Sequence, residues 1–128
     1  MNFMNKYRDE TYALLRIVTG FLFAFHGIQI TFGYHMDPAM KPALLSQGGI
    51  GGLIELLGGL MVMLGWQTRL AAFICSGTMA VAYFQFHWKG QMDANFFPAL
   101  NQGEPAVLYC FIFLFIAAQG NGKWSLKK

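Results

Sequence analysis

Apolar residues along the chain are collected into four blocks, and the charged residues lie mostly between those blocks. The blocks cover residues 11–33, 48–66, 69–88 and 104–120. A helix needs about 20 mostly apolar residues to cross a bilayer. A helix of a soluble bundle shows polar residues every three to four positions on its outer face, and none of these blocks has such a face. The pattern therefore predicts four transmembrane helices.

Composition and the block ends agree with this prediction. Only 12% of the 128 residues are charged, against about 25% in soluble domains. Trp66, Trp88 and Trp124 lie at the ends of blocks, where amphipathic rings settle at a membrane interface. The first block is longer than the apolar part of a signal peptide and has no small-x-small cleavage site, so we expect it to remain as helix one. The predicted fold class is all-α, a transmembrane four-helix bundle that forms a single domain over residues 1–128.

The distribution of basic residues predicts the orientation. Four spans place both termini on one side, together with the basic residues Lys6, Arg8, Arg69, Lys123, Lys127 and Lys128, while the other side holds Lys41 and Lys89. Basic residues are enriched in cytoplasmic loops, so both termini are predicted to face the cytoplasm of a prokaryotic cell, with the chain in its inner membrane. The formal net charge of +3 is spread too thinly to indicate nucleic-acid binding, and the predicted non-protein partner is membrane lipid.

Glu55 is the acidic residue near the middle of the second block. An ionisable residue at that depth normally faces the bundle interior with a partner. Glycines at 48, 51, 52, 58 and 59 recur three, four or seven positions from Glu55, and small residues let another helix approach closely. We therefore expect this face to pack against a neighbouring helix. Arg16 in helix one is the predicted partner of Glu55; the alternatives are an Arg16 side chain that reaches the cytoplasmic surface and a purely structural Arg16–Glu55 pair.

Further acid–base groups are predicted in the outer half of the bundle. They are His26, Glu55, Tyr83, His87 and Glu104, beneath a long loop after helix three. A cavity there would suit a polar headgroup such as a quinone ring, with a tail among apolar side chains. The alternatives are a helix-capping role for Glu104 and an interfacial position for Tyr83 and His87. No metal-ligand spacing is present, and Cys75 and Cys110 form no CxxC motif, so we expect neither a metal site nor a thiol-exchange enzyme.

Three segments of the chain resemble sequences of a known protein family. In order they are LLRIVTGFLFAFHGIQ, GGLIELLGGLMVMLGWQTRLAA and GEPAVLYCFIFLFIAAQGNGKWSL. Together they resemble the DoxX family of small four-helix membrane proteins over nearly the whole chain. The resemblance draws attention to Arg16, Gly20, His26, Gly27, Glu55, Gly59, Gly65, Thr68, Arg69, Glu104, Gly120, Gly122, Trp124 and Ser125. Where many relatives have a lysine after HG, this chain has Ile30 and Thr31, so a basic partner for Glu55 has to come from Arg16 or His26.

The resemblance implies a redox context for the protein. Name-giving members of the family are associated, as the membrane subunit, with a thiosulfate:quinone oxidoreductase, and other relatives resemble components of oxidative-stress assemblies. The implied function is a subunit of a quinone-linked complex, with quinone as ligand, no covalently bound cofactor and no stand-alone activity. Glu55 and His26 are the candidate catalytic residues, and Arg16, His26, Glu55, Tyr83, His87 and Glu104 the candidate ligand-binding residues. A protein partner or a homo-oligomer is expected. The alternative functions are a non-catalytic membrane scaffold and an oligomeric small-molecule carrier.

Overall fold

The computed structural model describes residues 2–35, 37–88 and 103–126, and within these ranges the chain is helical with no β-strand. Four α-helices form the fold. They are α1 (Arg8–Phe32), α2 (Gln47–Leu64), α3 (Thr68–Ala82) and α4 (Glu104–Gln119). Short 3₁₀ turns cover Asn2–Tyr7 and Pro38–Met40, and a π-helical segment, Tyr83–Trp88, extends α3. Each helix corresponds to one of the four predicted blocks: the ends of α1, α2 and α4 differ from the predicted ones by at most three residues, and α3 ends six residues before its block does.

The helix ends follow from local backbone chemistry. Ser46 caps α2, because its side chain accepts a hydrogen bond from the Gly49 amide, which would otherwise lack an intrahelical partner. Gly33 and Gly65 end α1 and α2 with φ values of 71° and 73°, the left-handed conformation that glycine adopts without strain. Gln67 follows with φ 51° immediately before α3, so the α2–α3 connection is a tight hairpin.

The helices run alternately up and down. Residue pairs in contact fall in opposite order along neighbouring helices: Gly20 and Gly27 of α1 meet Met63 and Leu56 of α2, and Arg69 and Ser76 of α3 meet Ala117 and Cys110 of α4. The N-terminal residues, the α2–α3 hairpin and residues 120–126 therefore share one end of the bundle, called here the terminal end. The start of α2, the π-helical segment and the start of α4 share the other, called here the loop end.

Contacts between α1 and α2 are the closest in the bundle. A Cβ atom built on Gly27 would lie 2.2 Å from the backbone nitrogen of Leu56, and one on Gly59 would lie 2.5 Å from that of Ala24. Such spacing is possible only without side chains at these positions. The expectation that the glycine face of α2 packs against another helix is confirmed at Gly52, Gly58 and Gly59, which are all buried. It is wrong at Gly51, where an added Cβ would have no described atom within 4 Å.

The second close pair is α3 and α4, and the weakest association between consecutive helices is that of α2 with α3. The core between the two pairs is built from Phe23, Val62, Cys75, Phe113 and Ile116, each at most 1% exposed. Most other large apolar side chains are exposed on the outer surface. Two helical stretches are long and apolar enough to cross a membrane, Asn2–Phe32 and Gln47–Leu64, and α4 is a shorter apolar helix.

Candidate functional site

A cavity of about 950 Å³ lies between the four helices in the half of the bundle nearest the loop end. Its walls are largely apolar, and all four helices contribute to them. The residues that bring polar side chains to its lining are His26 from α1, Gln47 and Glu55 from α2, Thr78 from α3 and Tyr109 from α4. We call this space the inter-helix cavity. An apolar cleft of this size with a few polar groups is the usual form of a small-molecule site.

Glu55 and His26 are the two predicted residues that the structure brings together. Both line the inter-helix cavity. Glu55 is half-buried, and among the described residues its carboxyl group has no hydrogen-bond or ion-pair partner. The His26 ring lies edge-on to Tyr109, with ring centroids 6.3 Å apart. An acidic and a basic side chain therefore face one apolar space, with their hydrogen-bonding capacity available to a ligand.

Tyr109 is a cavity residue that the sequence analysis missed. The centroid of its ring lies 5.2 Å from that of the Phe23 ring and 6.0 Å from that of the Phe113 ring. These contacts hold the Tyr109 side chain in place. The run around it, AVLYCFIFLFIAA, has no polar periodicity that would mark one face. The available signal was the tyrosine itself, the one phenolic hydroxyl in that run. Gln47 and Thr78 were also missed.

The predicted pairing of Arg16 with Glu55 is wrong. Arg16 is fully buried, and its Nη2 atom donates hydrogen bonds to the backbone oxygens of Lys123 (3.1 Å) and Trp124 (2.8 Å). It does not line the inter-helix cavity. In an α-helix each Cα–Cβ bond is tilted toward the helix N-terminus, and the N-terminus of α1 lies at the terminal end. The guanidinium group is therefore carried away from Glu55.

The remaining candidates lie elsewhere. Tyr83 begins the π-helical segment with its ring against that of Phe84, and it is not among the cavity residues. Glu104 is exposed in the first turn of α4, where a negative charge is favourable to the helix dipole, and it too lies outside the cavity lining. The side chain of His87 and the loop at residues 89–102 lie outside the described residues. Cys75 and Cys110 are both free thiols.

The terminal end is closed by residues 120–126, called here the closing segment. Tyr12 of α1 donates a 2.6 Å hydrogen bond to the Gly120 oxygen, and the Leu126 amide donates to the Leu64 oxygen at the end of α2. Arg69 of α3 donates to the last carbonyls of α4, those of Ala117 (3.0 Å) and Ala118 (2.6 Å). A cation there satisfies carbonyls that have no partner within the helix.

One ion pair holds the outside of the closing segment. The Lys123 Nζ atom lies 2.5 Å from the Glu10 Oε2 atom. The ammonium group lowers the pKa of Glu10 through this hydrogen bond, and the carboxylate in turn raises the pKa of Lys123. The GNGKWSL motif therefore has a structural role, in which its backbone fastens α1, α2 and α4 to one another.

Within the described residues the fold is all-helical, with apolar helices around a cavity, a form that small helical membrane proteins take. Within that class, the DoxX family model matches residues 11–88, and the chain belongs to the DoxX family of membrane proteins. The chain is also similar to an uncharacterised protein of Haemophilus influenzae, with 40% identity over 134 aligned positions that cover 98% of this chain and 95% of that protein. No solved structure matches the chain.

Proposed function

We propose that the protein is a multi-pass protein of the prokaryotic inner membrane that holds a membrane quinone in the inter-helix cavity as a subunit of a redox complex. All four helices cross the bilayer in this proposal, with both termini in the cytoplasm. At 1.5 Å per residue, α1 is about 37 Å long, α2 about 27 Å, α3 about 22 Å before its π-helical extension and α4 about 24 Å. The shorter α4 is accommodated by local thinning of the bilayer.

The observation that carries the proposal is the placement of Glu55 and His26 in one apolar-walled cavity. A quinone ring is flat and apolar, with two carbonyl oxygens that accept hydrogen bonds. His26 and the hydroxyl group of Tyr109 supply donors, and the aromatic rings packed around Tyr109 supply a surface for the ring. The Glu55 carboxyl group, which has no partner among the described residues, is available for proton transfer to the ligand.

The proton chemistry follows from these groups. Reduction of a quinone to a quinol takes up two electrons and two protons, one proton on each oxygen. Glu55 and His26 are suited to pass the protons, because both side chains exchange protons reversibly and both line the cavity. The sequence has no haem-ligand pair, flavin motif or cysteine motif. The electrons therefore come from a partner protein of the complex.

Quinone retention by purified variants tests this function. The protein is purified in mild detergent, and bound quinone is extracted and quantified by mass spectrometry. We expect quinone in the wild type and a loss of about tenfold in Tyr109→Phe, the effect of removing one hydrogen bond to a buried ligand. Glu55→Gln should show a smaller loss, because the amide can still donate a hydrogen bond but cannot transfer a proton. The matched controls are Glu104→Gln and Tyr34→Phe, which make the same chemical changes outside the cavity and should retain wild-type levels. A wild-type protein that holds no quinone would refute the proposal.

The scaffold alternative is distinguished by the same variants. The buried position of Arg16 and its bonds to the closing segment favour a structural role for that one charge. A scaffold predicts that Glu55→Gln also alters folding or oligomeric state. The quinone proposal predicts that Glu55→Gln elutes as the wild type does in size-exclusion chromatography, because no described residue depends on the carboxylate for a hydrogen bond.

A further inference from the structure

The α2 wall and the α3 wall of the inter-helix cavity each contain a glycine. Gly51 lies on α2 and Gly77 on α3, and both line the cavity. A Cβ atom built on either residue would have no neighbouring atom within 4 Å. By contrast, Gly20 and Gly59 on the α1–α2 face would clash with backbone if given a Cβ. Among the described residues, no atom therefore occupies the space beside Gly51 and Gly77, which leaves an opening.

Two contacts set the limits of this opening along the helices. Toward the loop end, the Gln47 side chain donates a hydrogen bond to the Gln85 side chain and so joins α2 to the segment after α3. Toward the terminal end, Gly58 of α2 packs directly on the Cys75 sulfur of α3. The distance from position 47 to position 58 along α2 is about 16 Å. The opening is tall enough for a hydrocarbon chain and is closed above and below.

The rim of the opening is apolar on its outer side. Ile50 on α2 is 46% exposed and Val81 on α3 is 49% exposed, and both also line the cavity. Their outer surfaces face the surroundings of the bundle, where the proposed membrane places lipid chains. Glu55, a polar residue of α2 in the cavity lining, lies one helical turn from Gly51, toward the terminal end. Polarity therefore increases from the rim toward the interior.

We propose that the space between Gly51 and Gly77 is a lateral portal through which an amphipathic lipid-soluble molecule enters the cavity from the bilayer. Its polar head lies at Glu55, His26 and Tyr109, and its hydrocarbon chain passes out between the two glycines. The identity of the head as a quinone rests on the function proposed above. The portal itself rests on the geometry of α2 and α3.

Cysteine labelling tests the portal without reference to any ligand. Ala106 is buried and lines the cavity from α4, so Ala106→Cys on a Cys75→Ala, Cys110→Ala background places one thiol inside. In proteoliposomes, a lipid-soluble phenylmaleimide should label this thiol faster than a charged, water-soluble maleimide. Adding Gly77→Leu or Gly51→Leu should slow the lipid-soluble reagent about tenfold or more, since a leucine side chain fills the opening. Ile74→Leu, on α3 outside the cavity lining, is the matched control and should leave the rate unchanged.

The opposite labelling pattern would overturn the portal. Labelling that is equally fast in the two glycine variants, or faster with the charged reagent, would show that the cavity is reached from water. Size-exclusion profiles of each variant establish that the bundle remains folded. A variant that unfolds labels quickly with both reagents, and the smaller substitution Gly77→Val then replaces it.

A ligand measurement separates the portal from the quinone proposal. With a long-chain quinone and its chainless ring as probes, Gly77→Leu should weaken retention of the long-chain quinone and leave the binding of the ring unchanged, whereas Glu55→Gln should weaken both. Equal loss of both probes in Gly77→Leu would contradict passage of the chain between the glycines. If the wild type binds neither probe, the quinone proposal fails, while the labelling rates still decide the portal.

Discussion

The two ends of the bundle use polar side chains in opposite ways. At the terminal end, Tyr12, Arg16 and Arg69 all donate to backbone carbonyls of residues 117–124. Toward the loop end, Glu55 faces a cavity and has no partner among the described residues. Polar side chains of these apolar helices therefore hold the chain together by hydrogen bonds at the terminal end, and they line the inter-helix cavity toward the loop end.

A charged residue in an apolar helix therefore indicates a function only when the direction of its side chain is known. A buried side chain that donates hydrogen bonds to backbone carbonyls has a structural explanation, because those carbonyls would otherwise be buried without a partner, which costs free energy. A carboxyl group that meets no donor has no such structural explanation and is the better candidate for function. The comparison predicts that substitutions at the terminal end change stability, whereas substitutions at the cavity change ligand retention.

The largest expected effect on stability is that of Arg16→Met. Methionine keeps much of the buried volume but leaves the Lys123 and Trp124 oxygens without their donor, a loss on the order of 3 kcal/mol. Thermal unfolding in detergent, followed by circular dichroism, measures it. Glu55→Gln is the comparison variant and should unfold at the wild-type temperature. A stable Arg16→Met together with an unstable Glu55→Gln would reverse the assignment of the two ends.

Two glycine-to-alanine substitutions distinguish the close α1–α2 contact from the opening between α2 and α3. In Gly20→Ala the new methyl group would lie 2.5 Å from the Met63 backbone nitrogen, so α1 and α2 have to separate, at a cost of about 2 kcal/mol. Gly77→Ala adds the same methyl group where no atom lies within 4 Å and should be at least as stable as the wild type, because alanine is the better helix former. Equal destabilisation by both substitutions, measured by the same thermal unfolding, would show that the α2–α3 gap is packed.

Substitution of a tyrosine by phenylalanine at each end of the bundle should have a smaller effect on the free energy of unfolding. Tyr12→Phe removes the 2.6 Å hydrogen bond to the Gly120 oxygen and should lower the free energy of unfolding by about 1 kcal/mol. Tyr109→Phe removes a hydroxyl group with no hydrogen bond to a described residue, so its unfolding temperature should not change. Its quinone retention should fall, while that of Tyr12→Phe should not. A destabilised Tyr109→Phe would indicate that this hydroxyl group belongs to the packing.

The helices and the glycine face were predictable from the sequence because both depend on local spacing. Apolar block length gave boundaries close to those of α1 and α2, and three- and four-residue spacing identified Gly52 and Gly59 as packing residues. The helical identity of residues 104–120 was equally clear. Which side of that helix faces the interior was not, because AVLYCFIFLFIAA is apolar all round and marks no face. For this reason Tyr109 was missed.

The hydrogen-bond partners of Arg16 were harder to predict from the sequence than the helices were. Its partners lie 107 and 108 positions away along the chain and are backbone oxygens, which carry no sequence signature. The tilt of helical side chains toward the N-terminus was the one available signal for its direction, and it favours the terminal end. His26 has the same tilt, yet it remains at the cavity because it lies almost three turns closer to the loop end.

The smallest expected effect is the pH dependence of the Glu10–Lys123 ion pair. The pKa of Glu10 is lowered in the folded protein, so its contribution to stability is present above its ordinary pKa of 4.5 and is lost as the pH falls through the lowered value. The pKa of Lys123 is raised, so its contribution is present below its ordinary pKa of 10.5 and is lost as the pH rises through the raised value. The pair should therefore stabilise the closing segment between these limits.

Unfolding temperatures of the wild type and Glu10→Gln measure this contribution. The difference should be small at pH 7, because the two side chains are 33% and 51% exposed and exposed pairs are screened by water and salt. It should shrink as the pH falls below 4.5 and shrink in 1 M salt, whereas Glu104→Gln, which removes a carboxylate without an ion pair among the described residues, should show no such dependence. A Glu10→Gln protein as unstable as Arg16→Met would mean that the surface pair, rather than the buried guanidinium, fastens the closing segment to the bundle.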